Sequence, residues 1–262
     1  MVVEYPNFSP VIIDLWGLKI HWYGLMYVLA FFSFITLGRY KIKKNKSKNS
    51  VFTNKSLDDF LFYGFLGVIF GGRIGYCLFY NFTFYISNPI KIFFVWEGGM
   101  SFHGGLLGVI VAVFIYSRKK KIKFFSVTDF IAPLIPIGLG LGRVGNFING
   151  ELWGRPTNGD WGMIFYHVDG LPRHPSQLYQ FFLEGILMFF LIWFLSNKVK
   201  TRGILSGIFL ITYGAFRYLV EFFREPDAHL GLLLSQTYGQ VLSIPMIIFG
   251  ILILYFARRR HL

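Results

Sequence analysis

Apolar residues are concentrated in long blocks along this 262-residue chain, and polar or charged residues are concentrated between the blocks. Each block is close to the length that a helix needs to cross about 30 Å of hydrocarbon. The pattern therefore predicts an all-α integral membrane protein with seven transmembrane helices. The predicted spans are Ile20–Leu37, Leu57–Tyr80, Gly99–Tyr116, Thr128–Asn149, Pro175–Ser196, Gly203–Phe222 and Tyr238–Ala257.

Composition excludes several other classes of protein. Charged residues make up only 15% of the chain, whereas a soluble domain carries about 25%. A soluble enzyme and a disordered tail are therefore excluded. The single cysteine, Cys77, excludes an intrachain disulfide and a cysteine-based zinc cluster. The strands of a β-barrel would be about ten residues long with strict alternation, which the long apolar blocks do not show.

The basic residues predict an orientation, because 18 of the 26 lysines and arginines follow spans one, three, five and seven. By the positive-inside rule these loops are cytoplasmic, so the N-terminus is outside and the C-terminus is in the cytoplasm. Residues 150–175 form a short extracytoplasmic head between spans four and five. We expect one membrane-embedded domain over residues 1–262. Since topology explains the basic loops, we expect no nucleic-acid partner.

Polar side chains within the spans share one depth. Buried arginines at mid-bilayer cost about 2.5–3.5 kcal/mol each on insertion scales, although Arg73 alone could snorkel to the surface. Counted along helices of alternating direction, the polar groups all lie within about 10 Å of the outer surface, and the middles of spans three, five and seven carry none. This predicts one polar pocket that opens toward the outer leaflet. Its residues are Tyr23, Arg73, His103, Arg143, Asn146, Asn149, Glu151, Tyr213, Arg217, Glu221 and Arg224.

Glycines flank these polar residues and predict close helix packing. Gly138 and Gly142 form a small-xxx-small step before Arg143, and similar glycines surround Arg73 and follow His103. Arg217 and Glu221 are four residues apart on one helical stripe, so they could simply neutralise each other. Asp129, which follows Ser126 near the inner end of span four, is expected to have a capping role.

The guanidinium group of arginine can donate two parallel hydrogen bonds to the phosphate of an anionic lipid headgroup. From the residues alone, the chain is a membrane enzyme or a transporter for a phosphate-bearing amphiphile. A transporter or flippase for an anionic lipid should expose polar groups at both leaflets, whereas the inner halves of these spans are nearly apolar. A metal-dependent alcohol phosphatidyltransferase would need an aspartate-rich helix, and no predicted span carries one.

Six motifs occur in order over nearly the whole chain. They are HWYG (21–24), GGRIGY (71–76), GGMSFHGGL (98–106), GRVGNFINGELWGRPT (142–157), RHPSQLY (173–179) and YGAFRYLVEFFREPD (213–227). Together they closely resemble the phosphatidylglycerol–prolipoprotein diacylglyceryl transferase family of bacterial inner membranes.

The resemblance implies transfer of the diacylglyceryl group of phosphatidylglycerol to the lipobox cysteine thiol of a prolipoprotein. The products would be a thioether and glycerol phosphate, in the first step of lipoprotein maturation. It also implies a multi-pass protein of the bacterial inner membrane, with phosphatidylglycerol and prolipoprotein signal peptides as partners and no metal or organic cofactor. The family's functional positions match Tyr23, His103, Arg143, Asn146, Glu151, Gly154, Tyr213, Arg217, Glu221 and Arg224.

The catalytic residues are predicted to be His103, Arg143 and Arg217, and the other positions, with Arg143, are predicted to bind substrate. Arginines stabilise the charge that develops on the leaving phosphate. His103 is expected to be buried near arginines, which would keep it neutral and able to accept the thiol proton. Alternatively, the arginines alone lower the thiol pKa and His103 only positions substrate.

Overall fold

Helices dominate the computed structural model, which describes residues 3–44, 52–159, 161–226 and 236–259. The described residues form ten α-helices and five short strands. The helices are α1 (Trp22–Lys44), α2 (Asn54–Phe79), α3 (Phe82–Ser87), α4 (Phe102–Lys119), α5 (Phe124–Ile131), α6 (Ile135–Ile148), α7 (Ser176–Gln180), α8 (Met188–Lys198), α9 (Ile204–Val220) and α10 (Tyr238–Arg259). The strands are β1 (Val3–Glu4), β2 (Val11–Leu15), β3 (Leu18–His21), β4 (Met163–Ile164) and β5 (Pro172–Arg173).

Each of the seven predicted spans contains a helix. A 3₁₀ turn at Ala132–Leu134 joins α5 to α6, and a π-helical turn at Phe181–Leu187 joins α7 to α8. Within the described ranges, five helical segments are long and apolar enough to cross a membrane, and α9 is a shorter apolar helix. A membrane-embedded helical protein is confirmed, while the count of seven spans and the orientation stay predictions.

The short strands lie outside the long helices and were not predicted. β4 pairs in parallel with β1 and antiparallel with β5, so residues from the chain start meet the segment predicted as the head. β2 and β3 form a hairpin. Its two turn residues, Trp16 and Gly17, both have positive φ, as a type I′ turn requires.

The chain divides into two compact units. The first unit comprises Met1–Leu37 and Asp129–Leu262, and the second comprises Gly38–Thr128. The core of the first unit is built on Ala132, Met188, Ile192 and Leu205. The single domain over residues 1–262 and the head at residues 150–175 stay predictions.

Backbone contact between glycines joins α2 to α4 in the second unit, as predicted. A Cβ on Gly71 would lie 2.7 Å from the Cα atom of Gly108, and a Cβ on Gly75 would lie 2.7 Å from the Cα atom of Gly104. No side chain larger than hydrogen fits at these positions without moving a helix, which is the small-residue packing of membrane helices.

Arg73 has a structural role in the second unit, so its predicted place in a substrate pocket is wrong. Its Nη2 donates to the carbonyl oxygen of Lys91 at 2.6 Å and its Nε to that of Ile92 at 2.9 Å. Its Nη1 donates to the carbonyl oxygens of Gly98 and Gly99. The guanidinium is therefore used to hold the backbone between α3 and α4.

The expected capping role of Asp129 is confirmed, and the helix that it caps is α9. Its Oδ2 accepts a hydrogen bond from the backbone nitrogen of Gly203 at 2.6 Å, and its Oδ1 accepts one from that of Ser206 at 2.8 Å. These nitrogens belong to the start of α9, where backbone N–H groups have no helical partner. The acid thus stabilises a distant helix terminus rather than its own.

Candidate active site

Arg143 forms a buried ion pair with Glu184 in the first unit. The Nε and Nη2 atoms of Arg143 each lie 3.2 Å from Oε2 of Glu184. Glu184 is fully buried and lies in the π-helical turn between α7 and α8. The prediction that the middle of span five carries no polar group is therefore wrong.

Close backbone packing brings this pair together. A Cβ on Gly140 of α6 would lie 3.0 Å from the Cα atom of Gly185, the residue next to Glu184. Arg143 follows Gly140 by three residues and so lies on the same helical face. Of the predicted step, a Cβ on Gly138 would lie 3.4 Å from the Cβ of Ala30, whereas the expected contact at Gly142 is wrong, since no atom from another described segment lies within 4 Å of a Cβ built there.

Arg217 belongs to a second buried cluster, centred on the carboxylate of Glu221. Oε1 of Glu221 accepts from Arg217 at 2.6 Å and from Arg224 at 3.1 Å, and Oε2 accepts from the Thr237 hydroxyl at 2.6 Å. The suggested pairing of Arg217 with Glu221 is confirmed. The buried Nη1 of Arg217 has no hydrogen-bond partner among the described residues.

The two clusters lie close enough to interact. Arg217 lies within electrostatic range of Arg143 and Arg224, and Tyr213 lies within that range of Arg143, Arg217 and Glu184. Arg217 and Arg224 share one oxygen of the Glu221 carboxylate. Two guanidinium groups on one carboxylate oxygen, with a buried and unused N–H donor on Arg217, favour an anion such as phosphate.

Tyr23 packs against α6, and Asn146 belongs to the last turns of α6. The Tyr23 ring packs against Gly145, where a Cβ would lie 2.7 Å from its Cδ2 atom. Nδ2 of Asn146 lies 3.5 Å from Oε2 of Glu151, and Nδ2 of Asn149 lies 3.2 Å from Oε1. Glu151 is exposed, so it lies at the end of the polar region that follows α6.

Gly154 occupies a crossing of three backbone segments. A Cβ there would lie 2.6 Å from the carbonyl oxygen of Phe223 and 2.6 Å from the Cβ of His174. Its carbonyl accepts from Arg173 at 2.9 Å, and Arg173 also pairs with Asp169 at 2.6 Å. The Arg173 guanidinium holds the pKa of the Asp169 carboxyl below its usual range. The structure thus explains why glycine is needed at position 154, while a substrate contact there stays a prediction.

His103 lies in the first turn of α4, in the second unit. Its side chain is exposed, so the expected burial is wrong. The N-terminus of α4 is capped by the Ser101 hydroxyl, which accepts from the backbone nitrogen of Gly104 at 3.2 Å. A single pocket shared by His103 and the arginines stays a prediction.

Glu184 and Thr237 are the site residues that sequence reasoning missed. A carboxylate in the middle of an apolar block is costly to insert without a partner. The position of Glu184 in span five could therefore have predicted a buried ion pair. Thr237 had no such signal, because a threonine near the start of a helix is commonplace. The described residues contain no group of three or more His, Cys, Asp or Glu side chains suited to a metal ion.

Membrane-length apolar helices and a buried arginine–carboxylate site define a multi-pass membrane protein suited to an anionic ligand. A family model described as prolipoprotein diacylglyceryl transferase matches residues 10–256. The chain therefore belongs to the prolipoprotein diacylglyceryl transferase family.

Curated relatives match over almost their whole length. The chain is 54% identical to the phosphatidylglycerol–prolipoprotein diacylglyceryl transferase of Methylobacillus flagellatus, over 99% of this chain and 100% of the relative. It is 56% identical to the protein of that name from Nitrosomonas europaea, over 98% and 93% of the two chains. The Bordetella avium protein of that name is 54% identical, over 99% and 98%.

Proposed function

We propose that this chain transfers the diacylglyceryl group of phosphatidylglycerol to the cysteine thiol of a prolipoprotein. The observation that carries the proposal is the buried arginine set of the first unit. It holds two arginines on one carboxylate oxygen and an unpaired donor on Arg217, within a chain whose relatives are named for this reaction. The phosphate of the lipid is the anion that this set binds.

The reaction is a displacement at carbon. The substrate thiol loses its proton, and the thiolate attacks the terminal glycerol carbon of the diacylglyceryl group. A carbon–sulfur bond forms while the carbon–oxygen bond to phosphate breaks, and the bonding electrons leave with glycerol phosphate. Negative charge grows on the phosphate oxygens, so fixed arginines stabilise the transition state more than the ground state.

Arg143 and Arg217 are the groups that bind this phosphate. Each guanidinium is already oriented by a buried carboxylate, Glu184 and Glu221 respectively. A guanidinium held in this way has little rotational freedom to lose when phosphate binds, which is the advantage of a preorganised site. Tyr23, Asn146, Glu151, Gly154, Tyr213 and Arg224 complete the substrate-binding set.

His103 is proposed to accept the thiol proton. Its exposure leaves room for a thiol to approach the imidazole. His103→Gln should lower the rate at neutral pH by roughly 10²–10⁴. Raising the pH should recover much of the loss, since the thiolate then forms without a base. A loss that high pH leaves untouched would assign His103 to positioning instead.

The cellular setting follows from the same reaction. The thiol donor is the lipobox cysteine of a signal peptide, and the site opens to the outer leaflet of the bacterial inner membrane. Seven spans with the N-terminus outside and the C-terminus in the cytoplasm give that arrangement.

The test is to incubate the purified protein with phosphatidylglycerol and a lipobox peptide and to measure the peptide mass. We expect each modified peptide to gain one diacylglyceryl group and one glycerol phosphate to be released for each modified peptide. Movement of the lipid between leaflets without a peptide product would support the transporter alternative and contradict the proposal.

A further inference from the structure

A stripe of buried polar side chains follows the outer half of span five in the first unit. Gln177, Gln180 and Glu184 are three and four residues apart, the spacing of one helical face. At most 1% of each residue is exposed. Three long polar side chains so fully removed from solvent need partners.

The two ends of the stripe contact predicted site residues. Glu184 accepts from Arg143, and Nε2 of Gln177 donates to the carbonyl oxygen of Glu151 at 2.6 Å. Gln180 lies between these contacts on the same helix, which packs against α6 and α9. Gln180 therefore lies between the residue that contacts Arg143 in α6 and the residue that contacts Glu151, which follows α6.

Gln180 itself has no partner among the described residues. Both polar atoms of its amide, Nε2 and Oε1, are buried without a hydrogen bond, and so is Oε1 of Glu184. Nearly all buried polar groups in folded proteins are paired. The Gln180 amide is buried without a hydrogen bond and lies next to the arginine site. It is therefore suited to a partner that does not belong to the chain.

The atoms of the stripe select the chemistry of that partner. The amide supplies donors and an acceptor, whereas the Glu184 carboxylate only accepts. A hydroxyl can donate and accept, so it satisfies both groups. A phosphate oxygen would be repelled by Glu184, and an ammonium group offers no acceptor for the Gln180 N–H.

We propose that Gln180 hydrogen-bonds a hydroxyl of the glycerol headgroup of phosphatidylglycerol, and that Oε1 of Glu184 accepts from a hydroxyl of the same group. This inference rests on the proposed function and names the residue that selects the headgroup. Arg143 and Arg217 hold the phosphate, and Gln180 recognises the alcohol attached to it.

The test compares phosphatidylglycerol with phosphatidylpropanol, whose headgroup carries no free hydroxyl. Wild-type protein should prefer phosphatidylglycerol by about tenfold or more in kcat/KM, the fold-change that corresponds to one hydrogen bond. Gln180→Met should lose most of this preference, because its kcat/KM should fall with phosphatidylglycerol and stay unchanged with phosphatidylpropanol. Its thermal unfolding midpoint in detergent should not fall, since the amide has no partner in the described chain to lose.

Gln177→Met is the matched control, one turn away on the same stripe. It removes a hydrogen bond to the Glu151 carbonyl, so it should lower the unfolding midpoint. Because that contact is structural, the variant should slow both lipids by the same factor.

Three outcomes would overturn the assignment of Gln180. The first is a wild-type protein that does not prefer phosphatidylglycerol, and the second is a Gln180→Met variant that keeps the preference. The third is a Gln180→Met variant that loses activity equally with both lipids and has a lower unfolding midpoint. If wild-type protein formed no thioether from phosphatidylglycerol at all, the proposed function would fail first, and the assignment would fail with it.

Discussion

At the scale of single residues, each arginine that we propose to be catalytic satisfies two opposing demands. A guanidinium in a bilayer needs a counter-charge, because an uncompensated buried ion is costly. Glu184 and Glu221 supply that charge to Arg143 and Arg217. However, Glu221 is shared among several donors, and Nη1 of Arg217 has no partner among the described residues. An N–H donor thereby stays available for the proposed phosphate, while the arginines keep the counter-charges that burial requires.

Arg143→Lys and Arg217→Lys test this view, because lysine keeps the charge and loses the planar fork. Each variant should lower kcat/KM by about 10²-fold or more, the usual effect of removing a transition-state donor. Arg39→Lys is the control, since Arg39 forms an exposed pair with Asp58. Near-normal activity in both site variants would show that positive charge alone suffices.

His174 predicts a pH dependence of stability. Its Nδ1 lies 3.1 Å from the Tyr179 hydroxyl, and its ring packs against Phe223 with centroids 5.1 Å apart. Burial lowers the pKa of the His174 imidazole. The unfolded chain therefore binds more protons, so stability is lost as pH falls through about 6.5 toward the lowered pKa.

The measurement is the thermal unfolding midpoint of wild type and His174→Gln between about pH 8 and about pH 5. The midpoint of wild type should fall relative to that of the variant as the pH decreases. Curves that stay parallel over this range would contradict the burial effect.

At the scale of elements, the helices could be predicted from the sequence, whereas their internal irregularities could not. Long apolar blocks specify membrane helices almost by length alone, and the break at Ala132–Leu134 contains Pro133, a residue that interrupts helices. The π-helical turn at Phe181–Leu187 has no such local signal. It positions Glu184 through a contact between Gly140 and Gly185, which are far apart in sequence.

The paired strands of the first unit also could not be predicted from the sequence. β1 and β4 each contain two residues, too few for an alternating pattern, and they pair across most of the chain. For the site, residue types and helical spacing predicted the arginines and Glu221. The caps, the carboxylate partner of Arg143 and the structural role of Arg73 depend on tertiary contacts.

Gly104 and Gly105 give a matched pair of variants for the α2–α4 contact. A Cβ on Gly104 would lie 2.9 Å from the Cα atom of Gly75, whereas one on Gly105 would lie 3.7 Å from its nearest described neighbour. Gly104→Ala should therefore lower the free energy of unfolding by about 1–3 kcal/mol through overpacking. Gly105→Ala should leave it unchanged or higher, since alanine favours helix. Equal stability of the two variants would show that the helices are not held at backbone contact.

At the scale of the whole molecule, charge asymmetry predicts how the chain is oriented. A site that binds phosphatidylglycerol and a translocated peptide must open to the outer leaflet. The distribution of 18 of 26 basic residues toward one side predicts that orientation.

Single cysteines can report the orientation after Cys77, which is buried, is replaced by alanine. Asn158→Cys should react with an impermeant thiol reagent in intact cells, because residue 158 belongs to the predicted extracytoplasmic head. Lys120→Cys should react only after the cells are opened. The reverse pattern of labelling would place the site on the cytoplasmic side.

The most direct test of the central claim follows an oxygen atom through the reaction. Phosphatidylglycerol would carry heavy oxygen between the diacylglyceryl carbon and phosphorus, and products would be analysed by mass spectrometry after reaction with a lipobox peptide. Displacement at carbon, with the arginines stabilising the leaving phosphate, predicts an unlabelled thioether and all of the heavy oxygen in glycerol phosphate. Heavy oxygen retained in a diacylglycerol product, without a thioether on the peptide, would contradict the account.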